Sequence, residues 1–360
     1  MKRILVYGMT NNPGGIETYL MNILRSLDKD RITFDFVTDF PEIVYKEEIL
    51  SYNSKVFYIP PKGKKLFKHW TKLWRILREH PEYRIVYFNI LDAGAAVTML
   101  IPWMLKRRII VHSHNGSTDK LRLHNYCRPL LNLFADKFVA CSQLAASFMF
   151  GDNKKDEVLI VPNAIDIEQY KFNQHKRIRT RNLLNISGQF VVCHIGRISE
   201  QKNPYGLLKI FKEVLVRKPD SLLLYIGSGE LEKEIHEYAV NIGIKDKIYF
   251  MGKRKDIPEL LCASDVFLLP SFYEGLPIVG IEAQASALPC ILSDTISKEI
   301  DITGDVIFCS LNKSPGEWAN VILNCQNAKR ISNINKLQER GYSLKEHSET
   351  YYKLLQFFDT

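Results

Sequence analysis

Val266-Phe267-Leu268-Leu269-Pro270-Ser271-Phe272-Tyr273-Glu274-Gly275-Leu276-Pro277-Ile278-Val279-Gly280-Ile281-Glu282 reads as a strand, a loop and a helix. Residues 266–269 are apolar without alternation, the pattern of a strand covered on both faces. Pro277 suits the first turn of a helix, where its missing N–H is not needed. Glu274 then lies on the loop and Glu282 inside the helix. The backbone N–H groups of Gly275 and Leu276 fall at a helix N-terminus, a ready place for an anion. Carboxylates beside an anion site match a ligand carrying both hydroxyls and phosphates, and a nucleotide-sugar is such a ligand.

The same strand-then-helix pattern extends along the chain. Apolar runs at residues 4–7, 33–37, 85–88, 109–111 and 137–140 form one series, and those at 190–195, 222–226, 247–250 and 266–269 form a second. Alternation of such runs with helical stretches predicts an α/β protein with doubly wound, Rossmann-like parallel sheets. The series break at 165–189, where Asp166-Ile167-Glu168-Gln169-Tyr170 is followed by the basic, polar Asn173-Gln174-His175-Lys176-Arg177-Ile178-Arg179, a linker and an opening helix. Two domains are expected, residues 1–168 and 169–342, facing each other across a cleft, followed by a closing segment 343–360. That segment carries Leu344, Tyr351, Tyr352, Leu354, Leu355, Phe357 and Phe358 on a helix that needs an apolar surface to cover.

At 360 residues, with 46% hydrophobic and 25% charged, the chain suits two globular domains. Met1-Lys2-Arg3-Ile4-Leu5-Val6-Tyr7 is too short for a signal segment, and no run is long enough to span a bilayer. The seven cysteines form no close pair and no metal spacing, as expected of reduced thiols in a cytosolic protein. The net charge of +9 suits anionic lipid, nucleic acid or phosphorylated ligands, but no nucleic-acid-binding motif accompanies it, so no nucleic-acid partner is expected. Asp28-Lys29-Asp30 reads as a turn rather than a metal site. No metal and no cofactor are expected.

Four further loops follow strands. Gly14-Gly15 sits between the first strand and a helix, where adjacent glycines let backbone approach a phosphate or sugar. His112-Ser113-His114-Asn115-Gly116 follows the strand at 109–111. His112 and His114 share one face, so they read as cleft residues, His114 before His112, or as a core pair. In Gly196-Arg197-Ile198-Ser199-Glu200-Gln201-Lys202, Arg197 and Lys202 can fold onto one diphosphate, the arginine as a planar fork and the lysine as a point charge. Gly227-Ser228-Gly229 and Met251-Gly252-Lys253-Arg254 are similar turns, the latter able to place Arg254 beside a base. No Gly-x-Ser-x-Gly and no Walker A loop is present, which leaves hydrolase and P-loop kinase readings without support.

Together these motifs resemble the retaining glycosyltransferases of family 4, which have the GT-B fold. The matching pieces are Gly14-Gly15-Ile16-Glu17, His114, Val161-Pro162-Asn163-Ala164-Ile165-Asp166, Gly196-Arg197 with Lys202, Gly227-Ser228-Gly229, and Glu274-Gly275-Leu276-Pro277 through Glu282. They come in family order over almost the whole chain, and the likeness is to bacterial enzymes of capsular, exopolysaccharide or O-antigen synthesis. Asn163-Ala164-Ile165-Asp166 stands where the family often has Asn-Gly-Val-Asp.

The resemblance implies roles. Arg197 and Lys202 would hold the donor diphosphate as leaving group. Glu274 would contact the transferred sugar and steady its oxocarbenium-like charge, with His114 near the reacting sugar. Glu282 would hold the ribose hydroxyls. Gly14, Gly15, Gly196, Gly227, Gly229, Arg254, Gly275, Leu276 and Pro277 would line the donor, and Asn115 and Asn163 would lie on the acceptor side. The acceptor implied is a polyprenyl-diphosphate-linked saccharide, and the last helix would cross back onto the N-terminal domain. Residues 61–78 add a stripe of Leu66, Trp70, Leu73 and Leu77 among lysines and arginines, which reads either as a contact with an anionic membrane surface or as a core-facing helix. With the lipid-linked acceptor, this predicts a cytoplasmic protein on the inner face of the membrane. A GT-B epimerase acting on a free nucleotide-sugar and a non-catalytic sugar-nucleotide-binding subunit share the architecture.

Overall fold

A computed structural model describes residues 2–28 and 30–356, without the side chains of residues 346–348, 355 and 356. Lys29, Phe357, Phe358 and the Leu355 side chain lie outside the described residues. The chain divides into two compact units, Met1–Ala164 with Leu344–Thr360, and Ile165–Ser343.

The first unit is built on seven parallel strands: β1 (Lys2–Tyr7), β2 (Ile32–Thr38), β3 (Val56–Tyr58), β4 (Ile85–Ile90), β5 (Arg108–Ser113), β6 (Lys137–Ala140) and β7 (Val158–Ile160), in the order β3-β2-β1-β4-β5-β6-β7. The second has six: β8 (Phe190–Ile195), β9 (Ser221–Ile226), β10 (Ile248–Gly252), β11 (Val266–Leu269), β12 (Cys290–Ser293) and β13 (Val306–Cys309), in the order β10-β9-β8-β11-β12-β13. Helices join successive strands in both units. Coverage on both faces explains the unbroken apolar runs, since β2, β4, β8 and β9 are buried at every position. The sequence reading passes over β3, β7, β12 and β13, strands of three or four residues.

Strand order reverses between β1 and β4 in one sheet and between β8 and β11 in the other. In open parallel sheets the crevice beyond the strand C-termini at such a point is where ligands sit.

The basic stretch read as a linker belongs to the second unit's framework. Asn173 caps the helix Gln174–Leu183 through Lys176 N. From it, Arg177 reaches the carbonyls of Cys262, Ala263 and Ser264 at the end of the helix Ile257–Ala263, and Arg177 and Arg181 both pair with Asp265. Cations there complement the helix dipole and satisfy its last carbonyls.

Two apolar helices find their covers within the first unit. The last helix, Leu344–Gln356, buries Tyr351, whose hydroxyl lies 3.1 Å from that of Tyr87 on β4. The helix Leu66–Glu79 turns the predicted stripe inward: Leu73 and Leu77 are buried, and Trp70 Nε1 donates to Val97 O at 2.7 Å. That stripe is a core face, which corrects its reading as a membrane contact. The large apolar residues this helix leaves exposed are Phe67 and Trp74, among polar and mostly basic neighbours. No disulfide joins any of the seven buried cysteines.

Candidate functional site

β8 and β11 are neighbours in the second sheet, and the loops leaving them carry most of the charged candidates. Asn203, in the left-handed region at φ 52°, caps the helix Pro204–Arg217 through Gly206 N and donates from Nδ2 to Pro270 O at 3.1 Å. The two loops are tied again by Phe272 N to Gln201 O at 2.9 Å and by Gln201 Nε2 to Tyr273 O at 3.0 Å. These ties set Lys202 against Glu274, and Lys202 Nζ donates to Glu274 Oε1. The side chains are only 15% and 10% exposed, so their attraction is little screened.

Arg197 and Lys202 leave the same loop but hold different partners. Arg197 Nε pairs with Glu230 Oε2 at 3.0 Å, and the arginine is 57% exposed. An exposed pair of this kind contributes about 1 kcal/mol or less, so Arg197 is easily drawn to a second anion. Glu230 follows Gly227-Ser228-Gly229, and both glycines have a steric reason. Gly227 has φ +136°, and a Cβ there would stand 2.0 Å from Gly196 O; at Gly229 it would stand 2.3 Å from Ile198 O. Leu231 N to Ile198 O at 3.1 Å holds the same contact. The immediate work of these glycines is to let one loop brace the turn that carries Gly196 and Arg197.

The loop after β11 differs from its predicted form. Pro277 is the N-cap of the helix Ile278–Ala285 rather than a residue of its first turn. Gly275, Leu276 and Pro277 are all buried. Arg254 folds onto Asp256, Nε to Oδ1 at 2.7 Å and Nη2 to Oδ2 at 2.5 Å, a local competitor for any contact with a base.

Glu282 is buried and accepts a hydrogen bond from the Tyr170 hydroxyl at 2.7 Å. Burial raises its pKa to about 7, against a smaller lowering by that hydroxyl. A carboxyl held above its unfolded value contributes stability that is full below about pH 4.5 and is lost as pH rises through about 7. The shift corresponds to roughly 3 kcal/mol. Glu282→Gln keeps the acceptor for Tyr170 and removes the titration. Its melting temperature should match the wild type's at pH 5 and exceed it at pH 8.5 by several degrees; parallel curves for the two proteins would refute the assignment.

In the first unit Gly14 and Gly15 are exposed at the start of the helix Gly15–Ser26. Glu17, buried in its first turn, accepts from Thr10 N at 3.2 Å and Thr10 Oγ1 at 2.7 Å, which folds the glycine loop back on the helix. His114 Nε2 lies 3.0 Å from Asn89 Oδ1, which as assigned makes Nε2 the protonated nitrogen and Nδ1 an acceptor. Burial lowers the His114 pKa to about 3, so the ring is neutral. It stacks on His112 with centroids 4.1 Å apart, and His112 Nδ1 is 2.6 Å from Tyr87 Oη and 3.0 Å from Tyr19 Oη. His112 is the core member of the pair and His114 the one at the strand end. Asn115 and Asn163 are both buried.

The structure thus gathers Gly196, Arg197, Lys202, Gly227, Gly229 and Glu274 on adjoining loops of the second unit, and Gly14, Gly15 and His114 at strand ends of the first. Tyr170, Gln201 and Glu230 escaped the sequence reading. Gln201 is an unremarked polar residue of the Gly196–Lys202 loop, and Glu230 directly follows Gly227-Ser228-Gly229. Tyr170 stands 112 positions from Glu282, and nothing local signals the pairing.

Two family models cover most of the chain: Glycosyltransferase Family 4 over residues 13–169 and Glycosyl transferases group 1 over residues 176–323. EpsF of Bacillus subtilis (strain 168), named as a glycosyltransferase, is 32% identical over 96% of this chain and 94% of its own length. An Escherichia coli UDP-Gal:alpha-D-GlcNAc-diphosphoundecaprenol alpha-1,3-galactosyltransferase is 34% identical over 38% of this chain and 37% of its own. Among solved structures, HepE of Anabaena in complex with UDP and glucose superimposes with a TM-score of 0.84 at 20% identity, covering 99% of this chain and all of that one. The fold is GT-B.

Proposed function

This chain belongs to glycosyltransferase family 4, and from that membership we propose that it is a retaining hexosyltransferase. It moves a hexose or N-acetylhexosamine, from a UDP-sugar in preference to a GDP-sugar, to a polyprenyl-diphosphate-linked saccharide in cell-surface polysaccharide synthesis. The observation that carries the reading is the Lys202–Glu274 pair, held by backbone ties at the switch point of the second sheet with Arg197 alongside. The galactosyltransferase named above favours the lipid-diphosphate acceptor, and the HepE complex favours UDP.

Cleavage of the sugar–phosphate bond leaves negative charge on the diphosphate and positive charge on the sugar. Arg197 and Lys202 meet the first with charge-assisted hydrogen bonds, in place of a metal. A diphosphate at Lys202 competes with Glu274 for the ammonium, which leaves the carboxylate for the sugar. Glu282 holds the ribose hydroxyls, and the departing phosphate, not a side chain of the glutamate pair, takes the acceptor's proton. Neutral His114, anchored at Nε2, presents Nδ1 as an acceptor to a sugar hydroxyl. The site works on the cytoplasmic side, at the inner face of the membrane.

Purified protein with membranes and a panel of UDP- and GDP-sugars should release nucleotide from one donor, and only when lipid acceptor is present. Release from none would overturn the transferase reading. Conversion of a donor sugar in the absence of acceptor would point to an epimerase instead.

A further inference from the structure

The helix Leu121–Phe134 buries one side only. His124, Cys127, Leu131 and Phe134 face the core of the first unit. Along one flank, Leu123, Tyr126, Leu130 and Leu133 stand at helical spacing in solvent, Tyr126 85% and Leu133 64% exposed. Trp103 and Met104, which end the neighbouring helix Ala96–Met104, extend this ridge: both are half-exposed, and the Trp103 ring lies 5.0 Å from that of Phe134. Isolated exposed apolar residues are ordinary, but a contiguous ridge of six marks an interaction surface.

The charges around it say what kind. Residues 103–136 hold Lys106, Arg107, Arg108, Lys120, Arg122 and Arg128 against two acids, Asp119 and Asp136, the latter paired with Arg108. Leucines with a tryptophan and a tyrosine, bordered by lysine and arginine, are the composition of a segment that lies in the headgroup layer of an anionic bilayer. No described helix is long and apolar enough to cross a membrane, so the contact is interfacial. A second copy fits less well, because a two-fold interface would set each basic row against its twin. Position agrees with a lipid surface. A Cβ on Gly94 would stand 3.3 Å from Leu123 Cδ2, so the ridge begins just beyond the C-terminal end of β4, and the helix follows the loop that carries His114 and Asn115. We propose that this ridge, and not the helix Leu66–Glu79, is the face by which the chain lies on an anionic membrane. The latter keeps its stripe in the core and exposes only Phe67 and Trp74 among its large apolar residues.

The inference does not rest on the transferase reading, because vesicle binding needs no donor. The test is flotation of the full chain with phosphatidylcholine vesicles, with and without phosphatidylglycerol. The wild type should float with the anionic vesicles. Leu130→Glu/Leu133→Glu should lower its partitioning at least about tenfold, and Phe67→Glu/Trp74→Glu should leave it within about twofold. Should the first variant fail to show a wild-type melting curve, Lys120→Glu/Arg122→Glu serves in its place, with a loss of the same direction. The proposal is overturned if the wild type ignores anionic vesicles, or if the Phe67/Trp74 variant loses binding while the ridge variants keep it. It is equally overturned if the ridge variants change only the oligomeric state in sedimentation.

Discussion

Glu274→Gln is expected to lower kcat for sugar transfer by about 100- to 1,000-fold while moving the donor KM far less. The carboxylate matters most when positive charge is at its peak on the sugar, and removing one such stabilising group typically costs roughly 3–4 kcal/mol of activation free energy. Glutamine preserves shape and one acceptor oxygen, so the loss reports charge rather than packing. The substitution also strips Lys202 of its counter-ion. Both side chains are largely covered, and breaking a buried pair from one side destabilises by up to about 3–5 kcal/mol. The variant should therefore melt several degrees below the wild type but still fold. Adding Lys202→Met removes the stranded ammonium. Stability should then recover in part while activity does not, which separates the catalytic loss from the structural one. Full kcat in Glu274→Gln would take Glu274 out of the reaction.

Lys202→Met alone should weaken binding of the donor's nucleoside diphosphate about 100-fold, and Arg197→Ala about tenfold. A charge-assisted hydrogen bond contributes roughly 1.5–3 kcal/mol, and each 1.4 kcal/mol is a factor of ten. Lys202 stands at the upper end because it is sheltered and fixed by the Gln201 and Asn203 ties. Arg197 stands lower because it is exposed, so that solvent and salt screen its charge. Calorimetric titration at low and high salt should show a stronger salt dependence for the Arg197 contribution, as screening acts on the exposed charge. Unchanged affinity in both variants would mean that the diphosphate binds elsewhere.

Much of this was legible in the chain itself, for definite reasons. Strands buried on both faces have continuous apolar runs, so β1, β2, β4, β5, β6, β8, β9, β10 and β11 are visible. Of the remaining four, β3 and β7 have three residues, none fully buried, and β13, at a sheet edge, buries only Cys309. β12, Cys-Ile-Leu-Ser, follows closely on an apolar helix and reads as its continuation. Arg197, Lys202 and Glu274 could be named because strand-loop-helix junctions keep candidate residues close in sequence. Their partners could not. That Lys202 faces Glu274 across two loops depends on Asn203 reaching Pro270, a contact across 67 positions. The stripe on the helix Leu66–Glu79 failed for a different reason. Helical periodicity marks an apolar face without saying whether protein or lipid covers it, and here protein does, the helix Ala96–Met104 among it. The ridge on the helix Leu121–Phe134 has the opposite character, since core and surface residues are both leucine-rich and only burial tells them apart.

The most direct test of the central claim follows one reaction by NMR, with a UDP-hexose labelled with carbon-13 at C1 and a polyprenyl-diphosphate-linked saccharide as acceptor. For the accepted donor, the account predicts that the label moves to a new glycosidic bond, one per UDP released, with the anomeric configuration of the donor kept. A product of inverted configuration, or a label that never leaves the nucleotide across the hexose panel, would contradict it.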